Sequence, residues 1–298
     1  MKRLNAGALR RAADGARLSA ANALVRRTLA QHGLLPEGGQ INAQGMPSLD
    51  SMLAQMTGSR DTAVVFSEAM PAGAVFRNDT FTCGAGSRAY RTYIPASAAQ
   101  GVSGSIMMLH GCTQTPEDFA VGTGMNALAE KHRLVLVYPK QARGDNAQSC
   151  WNWFSRGDQK RDHGEPAILA GIAAKVCDTH GVERDATFVA GLSAGAAMAV
   201  LLGEVYGDIF SAVGAHSGLP AGAAKDVASA FTAMAGNGAE PTFYTQAHGK
   251  VRTIIFHGTA DATVHPSNGD RIGRRAISAN ASQSIDTHTT AEIAGRRV

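Results

Sequence analysis

Gly191-Leu192-Ser193-Ala194-Gly195 sets a serine between two glycines in the pattern G-x-S-x-G. A serine hydroxyl is a weak nucleophile until an adjacent base takes its proton. The five residues alone are a weak signal, and their setting gives them weight. Thr187-Phe188-Val189-Ala190 reads as a strand, and Ala194 to Tyr206 reads as an Ala-rich helix. A sharp strand-to-helix turn lifts a serine hydroxyl above the end of a sheet, and the flanking glycines give the turn room. The plainer alternative is an ordinary Gly-rich turn.

Acyl transfer needs more than a nucleophile. Charge develops on the carbonyl oxygen and must meet fixed donors. The Ala194 amide, directly after the serine, is one candidate. The second comes from the loop after an earlier strand. Ser105 to Leu109 is a short apolar run followed by His110-Gly111-Cys112, which makes the Cys112 amide the other oxyanion donor. His110 is expected to brace that loop, and the Cys112 thiol is not expected to act as the nucleophile. A carboxylate is the third requirement. Phe256-His257-Gly258-Thr259-Ala260-Asp261 follows a strand, and Asp261 comes after the serine, in the chain order Ser…Asp…His. Asp261 as a turn residue or helix cap is the alternative reading, and Asp270 is a weaker rival. Trp151 and Trp153 are candidate substrate-binding residues, since ligand sites are mostly apolar and aromatic; core packing explains them equally well. Glu165 is expected to cap a helix starting near Pro166.

The positions of these residues follow from the elements around them. Apolar strands are expected at Ala89–Ile94, Ser105–Leu109, Leu134–Tyr138, Thr187–Ala190, Phe210–Ala215 and Val251–Phe256. Helical stretches fall at Asn126–Lys131, Pro166–Cys177, Ala194–Tyr206 and Pro266–Ile277. Strands alternating with helices imply an α/β fold: a mostly parallel sheet with helices on both faces. Sites in such sheets lie at the carboxyl ends of the strands, where His110, Ser193 and Asp261 all fall. Residues 1–60, with Leu and Arg at roughly helical spacing and then Pro36, Gly38, Gly39, Gly45 and Pro47, read as a helical extension and linker. Residues 61–298 read as the catalytic domain.

Composition limits the alternatives. Of 298 residues, 44% are hydrophobic, enough for a core without metals. The net charge of +4 is concentrated towards the two ends, with no basic stripe carrying interleaved aromatics, so no nucleic-acid partner is expected. No run approaches the ~20 apolar residues of a membrane helix, and Arg10, Arg11, Asp14 and Arg17 break up any secretory h-region. Cys83, Cys112, Cys150 and Cys177 permit two disulfides in three connectivities and match no zinc spacing. No metal and no organic cofactor is expected.

Six motifs occur in order: His110-Gly111-Cys112-Thr113-Gln114, Cys150-Trp151-Asn152-Trp153-Phe154, Gly164-Glu165-Pro166, the Ser193 motif, His216-Ser217-Gly218-Leu219-Pro220 and His257-Gly258-Thr259-Ala260-Asp261. In these the chain resembles the poly(3-hydroxybutyrate) depolymerase family of esterases, from about residue 85 to about residue 295. The resemblance implies an α/β-hydrolase fold, a serine esterase acting through an acyl-serine, Ser193 and Asp261 as triad members, and an extracellular setting. Small-molecule or oligomeric hydroxyacid esters are the implied substrates. A feruloyl or acetyl xylan esterase is one alternative, and a binding module without turnover is another. A disulfide between Cys112 and Cys150 would fix two site loops. The family's histidine is expected after the aspartate in a Gly-His-Ala-Trp-like segment, and this sequence has none. His265 and His288 are the histidines beyond Asp261, and Val298 lies 37 residues past it. The expectation is a domain whose last strand and catalytic-histidine loop are missing.

Overall fold

A computed structural model describes residues 70–238 and 251–279, together with the backbone of a short ladder near the C-terminus. The expected helical extension over residues 1–60 lies outside the described residues. Chain order gives β1 (Val75–Cys83), β2 (Gly86–Ile94), β3 (Gly104–Leu109), α1 (Pro116–Thr123), α2 (Met125–His132), β4 (Leu134–Pro139), α3 (Gly164–His180), β5 (Thr187–Leu192), α4 (Ala194–Val205), β6 (Ala212–His216), α5 (Val227–Met234), β7 (Arg252–Phe256) and α6 (Ser267–Ala279). A two-residue pair, β8 (Glu292–Ile293) and β9 (Arg296–Arg297), closes the series.

The sheet runs β1-β2-β4-β3-β5-β6-β7. β1, β2 and β4 are joined antiparallel, and from β4 to β7 every pairing is parallel. Alternation along the strands explains why the parallel part is apolar throughout. In β3, Met107 and Leu109 pack with Ile168 and Met198 of α3 and α4, while Met108 packs with Phe119 and Ala129 of α1 and α2. Both faces are therefore covered, as a parallel sheet requires.

All six strands and four helices expected from the sequence are present, with no end displaced by more than three residues. Three elements ahead of the β8–β9 pair escape the sequence pattern. β1, with the sequence VFRNDTFTC, has no fully buried position, so it shows no apolar run. α1 and α5 are single short helices set by capping boxes, Thr115 with Asp118 and Asp226 with Ser229. Such local hydrogen bonds specify a helix start without apolar periodicity. Among the described residues β7 is the outermost strand on its side, with Ile254 and Phe256 each 56% exposed.

Candidate active site

Ser193 leaves the end of β5 with φ 55° and ψ −118° and begins α4. A non-glycine residue at such angles carries strain of about 1–3 kcal/mol, which persists only where the surroundings impose it. Here they do. The Ser193 amide donates to His216 O at 2.9 Å, and its carbonyl accepts from the Ala197 amide at 3.0 Å. A Cβ on Gly191 would lie 2.4 Å from Gly195 C and O, and one on Gly195 would lie 2.1 Å from Leu109 O and 2.6 Å from His110 O. The glycines are thus required by backbone contact. The contact at Gly195 also seats the loop after β3 directly against the serine turn.

That loop carries Cys112, and it is tied down from several sides. Cys112 is disulfide-bonded to Cys150, and the Thr113 amide donates to Gln148 O at 2.8 Å. His110 is buried, and its Nε2 accepts from the Gln141 amide at 3.2 Å, so the proton sits on Nδ1 and is donated to Gly111 O at 2.7 Å. Burial pushes the His110 pKa down, against the opposing pull of the Gly111 carbonyl. The imidazole is a neutral brace, as expected. Trp151 is completely buried, and its indole N–H donates to His110 O at 3.0 Å. Trp153, 6% exposed, packs edge-on against Phe154. Trp151 therefore supports the loop, and both tryptophans are members of the hydrophobic core.

Removing the disulfide by Cys112→Ser and Cys150→Ser is expected to reduce stability. Its partners are 38 residues apart in sequence, for which the chain-entropy relation gives about 4 kcal/mol. A fall in Tm of roughly 10 °C follows for a domain of this size. Calorimetry on the double variant checks it, and an unchanged Tm would count against a formed bridge.

Asp261 lies in the loop between β7 and α6. Its Oδ1 accepts from the Thr263 and Val264 amides, both at 2.9 Å, and its Oδ2 is 3.6 Å from His257 Nε2. His257 Nε2 donates to Val264 O at 2.8 Å. Partial burial pulls the Asp261 carboxyl up, but the Val264 amide, the Ser217 hydroxyl, the Thr263 amide and the nearby His257 together hold it below the usual range. Ser217 is buried at the end of β6 with φ 51°, and its amide donates to Phe256 O at 2.9 Å. The ends of β5, β6 and β7 are in register, with Leu192 opposite His216 and His216 opposite Phe256. Ser193, Ser217 and the Asp261 loop consequently leave three neighbouring strands at one level.

A carboxyl whose pKa is lower folded than unfolded adds stability above the unfolded value, near 4, and loses it as pH falls through the folded value. The Tm advantage of the native chain over Asp261→Asn is therefore expected to be constant from about pH 7 to 5 and to shrink below about pH 4. Thermal melts across that range check it; an advantage unchanged at pH 3 would contradict it.

One expectation finds another outcome, and the rival residues fall away from the site. Glu165 does not cap α3: Asp158 Oδ1 accepts the Glu165 amide at 2.7 Å, and the Glu165 carboxylate turns inward. Asp270 is exposed within α6. His265 is exposed and its ring is held by Ser267. His288 lies outside the described residues. Among the described residues no hydrogen bond reaches the Ser193 hydroxyl. The residues not foreseen are Arg88, Gln141 and Ser217. Only the strand-end position of Ser217, in the His216-Ser217-Gly218 motif, carried a signal.

A parallel sheet with covered faces, a strained serine at a strand-to-helix turn and an aspartate two strands away define the α/β-hydrolase class. The Esterase PHB depolymerase family matches residues 88–297, and the chain belongs to it. Poly(3-hydroxyalkanoate) depolymerase C of Paucimonas lemoignei is 34% identical over 174 residues, which are 55% of this chain and 42% of that protein. A probable acetylxylan esterase A of Aspergillus flavus is 26% identical over 192 residues, 59% of this chain and 61% of that protein. The chain thus spans less than two thirds of the length of these curated relatives. The solved acetyl xylan esterase from Aspergillus awamori superposes with a TM-score of 0.63 at 19% identity, covering 73% of this chain and 84% of that one, a likeness of fold. Among the described residues no helix is long and apolar enough to cross a membrane.

Proposed function

We propose that this chain is a serine esterase that cleaves carboxylic esters through an acyl-serine on Ser193. The observation that carries the reading is the strained Ser193 turn wedged by Gly195 against the Cys112 loop. In the reaction Ser193 Oγ bonds to the ester carbonyl carbon while its proton passes to a histidine oriented by Asp261. Among the described residues no histidine bridges these two groups. The Ala194 and Cys112 amides receive the oxyanion. The alcohol leaves with the proton, and water then releases the acid by the same steps.

Short hydroxyacid esters and 3-hydroxybutyrate oligomers are the proposed substrates, supported by the 34% identity to a poly(3-hydroxyalkanoate) depolymerase. An acetyl xylan or feruloyl ester is the second reading, favoured by the acetylxylan esterase relatives. The Cys112–Cys150 bridge supports an oxidising, extracellular setting.

The test is labelling with a fluorophosphonate probe, mapped to the peptide holding Ser193, beside hydrolysis of p-nitrophenyl butyrate, 3-hydroxybutyrate oligomers and acetylated xylan. Labelling with turnover of the hydroxybutyrate oligomers is expected. Faster turnover of the xylan ester would move the assignment to the second reading. Folded protein that binds oligomers but takes no label would be a binding module.

A further inference from the structure

Under the Cys112 loop lies a charge pair that stability alone does not explain. Arg88 on β2 and Glu165 in the first turn of α3 have side chains only 4% and 6% exposed, with Nη2 and Oε1 at 3.3 Å. Burying two ions costs several kcal/mol each, and an apolar pair of similar volume is often as stable or more so. Arg88 Nη1 also donates to Asp145 Oδ2 at 2.8 Å and to Gln141 Oε1.

Apart from the Arg88 contact, the carboxylate bonds of Glu165 lead towards the oxyanion loop. Its Oε2 accepts from the Asn152 amide at 2.8 Å, and its Oε1 accepts from Asn152 Nδ2 at 2.9 Å, from Gln141 Nε2 and from Arg88. Gln141 Nε2 also donates to Cys150 O at 2.9 Å, and the Gln141 backbone amide donates to His110 Nε2. One route therefore runs Glu165–Gln141–His110. The other runs from Glu165 through Asn152 and Gln141 to the segment of Cys150, and then through the disulfide to Cys112. The two routes meet on either side of Gly111. A single carboxylate fixes both ends of the segment that presents the Cys112 amide.

We infer that Glu165, oriented by Arg88, is a positioning residue that sets the Cys112 amide for the oxyanion. This inference rests on the proposed acyl-serine chemistry at Ser193. The charged form suits the task because four donors converge on it, and a carboxylate is the side chain that accepts from all of them without offering a hydrogen of its own.

The experiment compares the native chain, Glu165→Gln and the double variant Arg88→Met/Glu165→Leu, with kcat normalised to the serine titrated by fluorophosphonate. Titration removes any loss due to a smaller folded fraction. Misplacing an oxyanion donor by about 1 Å is expected to lower kcat about 10- to 100-fold. KM for p-nitrophenyl butyrate should stay within twofold in both variants. A trifluoromethyl ketone, which forms a tetrahedral oxyanion adduct on the serine, should lose affinity in parallel with kcat. The Tm of the double variant should fall, because the Gln141 and Asn152 donors lose their acceptor, so the decision rests on kcat and ketone affinity per titrated serine. If the double variant does not fold, the same readings on Glu165→Gln decide. Native kcat and native ketone affinity per titrated serine would overturn the inference while leaving the esterase reading intact. A native chain that neither labels nor turns over would remove the esterase reading and this inference with it.

Discussion

Ser193→Ala is expected to keep its fold and lose about a million-fold in kcat on p-nitrophenyl butyrate, the scale on which deletion of a serine nucleophile acts. Alanine retains the Cβ, so the strained backbone at φ 55° is neither relieved nor worsened. Its Tm should therefore stay within about 2 °C of the native value. Ser193→Gly separates the two effects. Glycine tolerates positive φ, so this variant should be equally inactive yet more stable by about 1–2 kcal/mol. That gain would measure the strain held in the turn. Turnover at the native rate by either variant would place the nucleophile elsewhere.

Gly195→Ala is expected to be among the most damaging single substitutions in the chain, at about 5 kcal/mol or more. The added methyl would stand 2.1 Å from Leu109 O and 2.7 Å from Leu109 C. Both are backbone atoms of β3, a strand hydrogen-bonded on each side by β4 and β5, so neither can withdraw without breaking a ladder. Gly122 supplies the control. It lies in α1 with no atom within 4 Å of a built Cβ, and alanine there should stabilise by about 0.5–1 kcal/mol through helix propensity. Denaturant melts of the two variants check both signs. A Gly195→Ala protein with native stability would mean that the turn and the β3 loop are not in contact.

The sequence announces what is local or periodic. Ser105–Leu109 and Leu134–Tyr138 are runs that only a strand covered on both faces accommodates, and the serine turn declares itself by two glycines at fixed spacing. Asp261 is legible because it follows a strand at the right place in chain order. Support from far along the chain does not show. Arg88 and Glu165 are 77 residues apart, and nothing in either neighbourhood says that they meet. Glu165 just before a proline looks like a cap because caps are local, yet the capping acceptor is Asp158, reaching across a loop. Trp151 and Trp153 leave pocket wall and core equally open in the sequence, because an aromatic side chain announces apolar surface without saying which way it faces. β1 does not show in the sequence because an edge strand with both faces partly wet carries no apolar signature.

The hard contact between Gly195 and the end of β3 has an evolutionary consequence. It is made by main-chain atoms, so the spacing between the serine turn and the end of β3 does not depend on which side chains line the loops that meet substrate. Lineages built on this frame can exchange the residues that meet an ester's acyl and alcohol parts while the distance that matters for bond-making is inherited unchanged. Substrate range and catalytic competence are then free to drift separately. A laboratory selection for new esters should accumulate its changes in the loops beyond the strand ends and leave Gly191, Gly195 and Gly111 untouched.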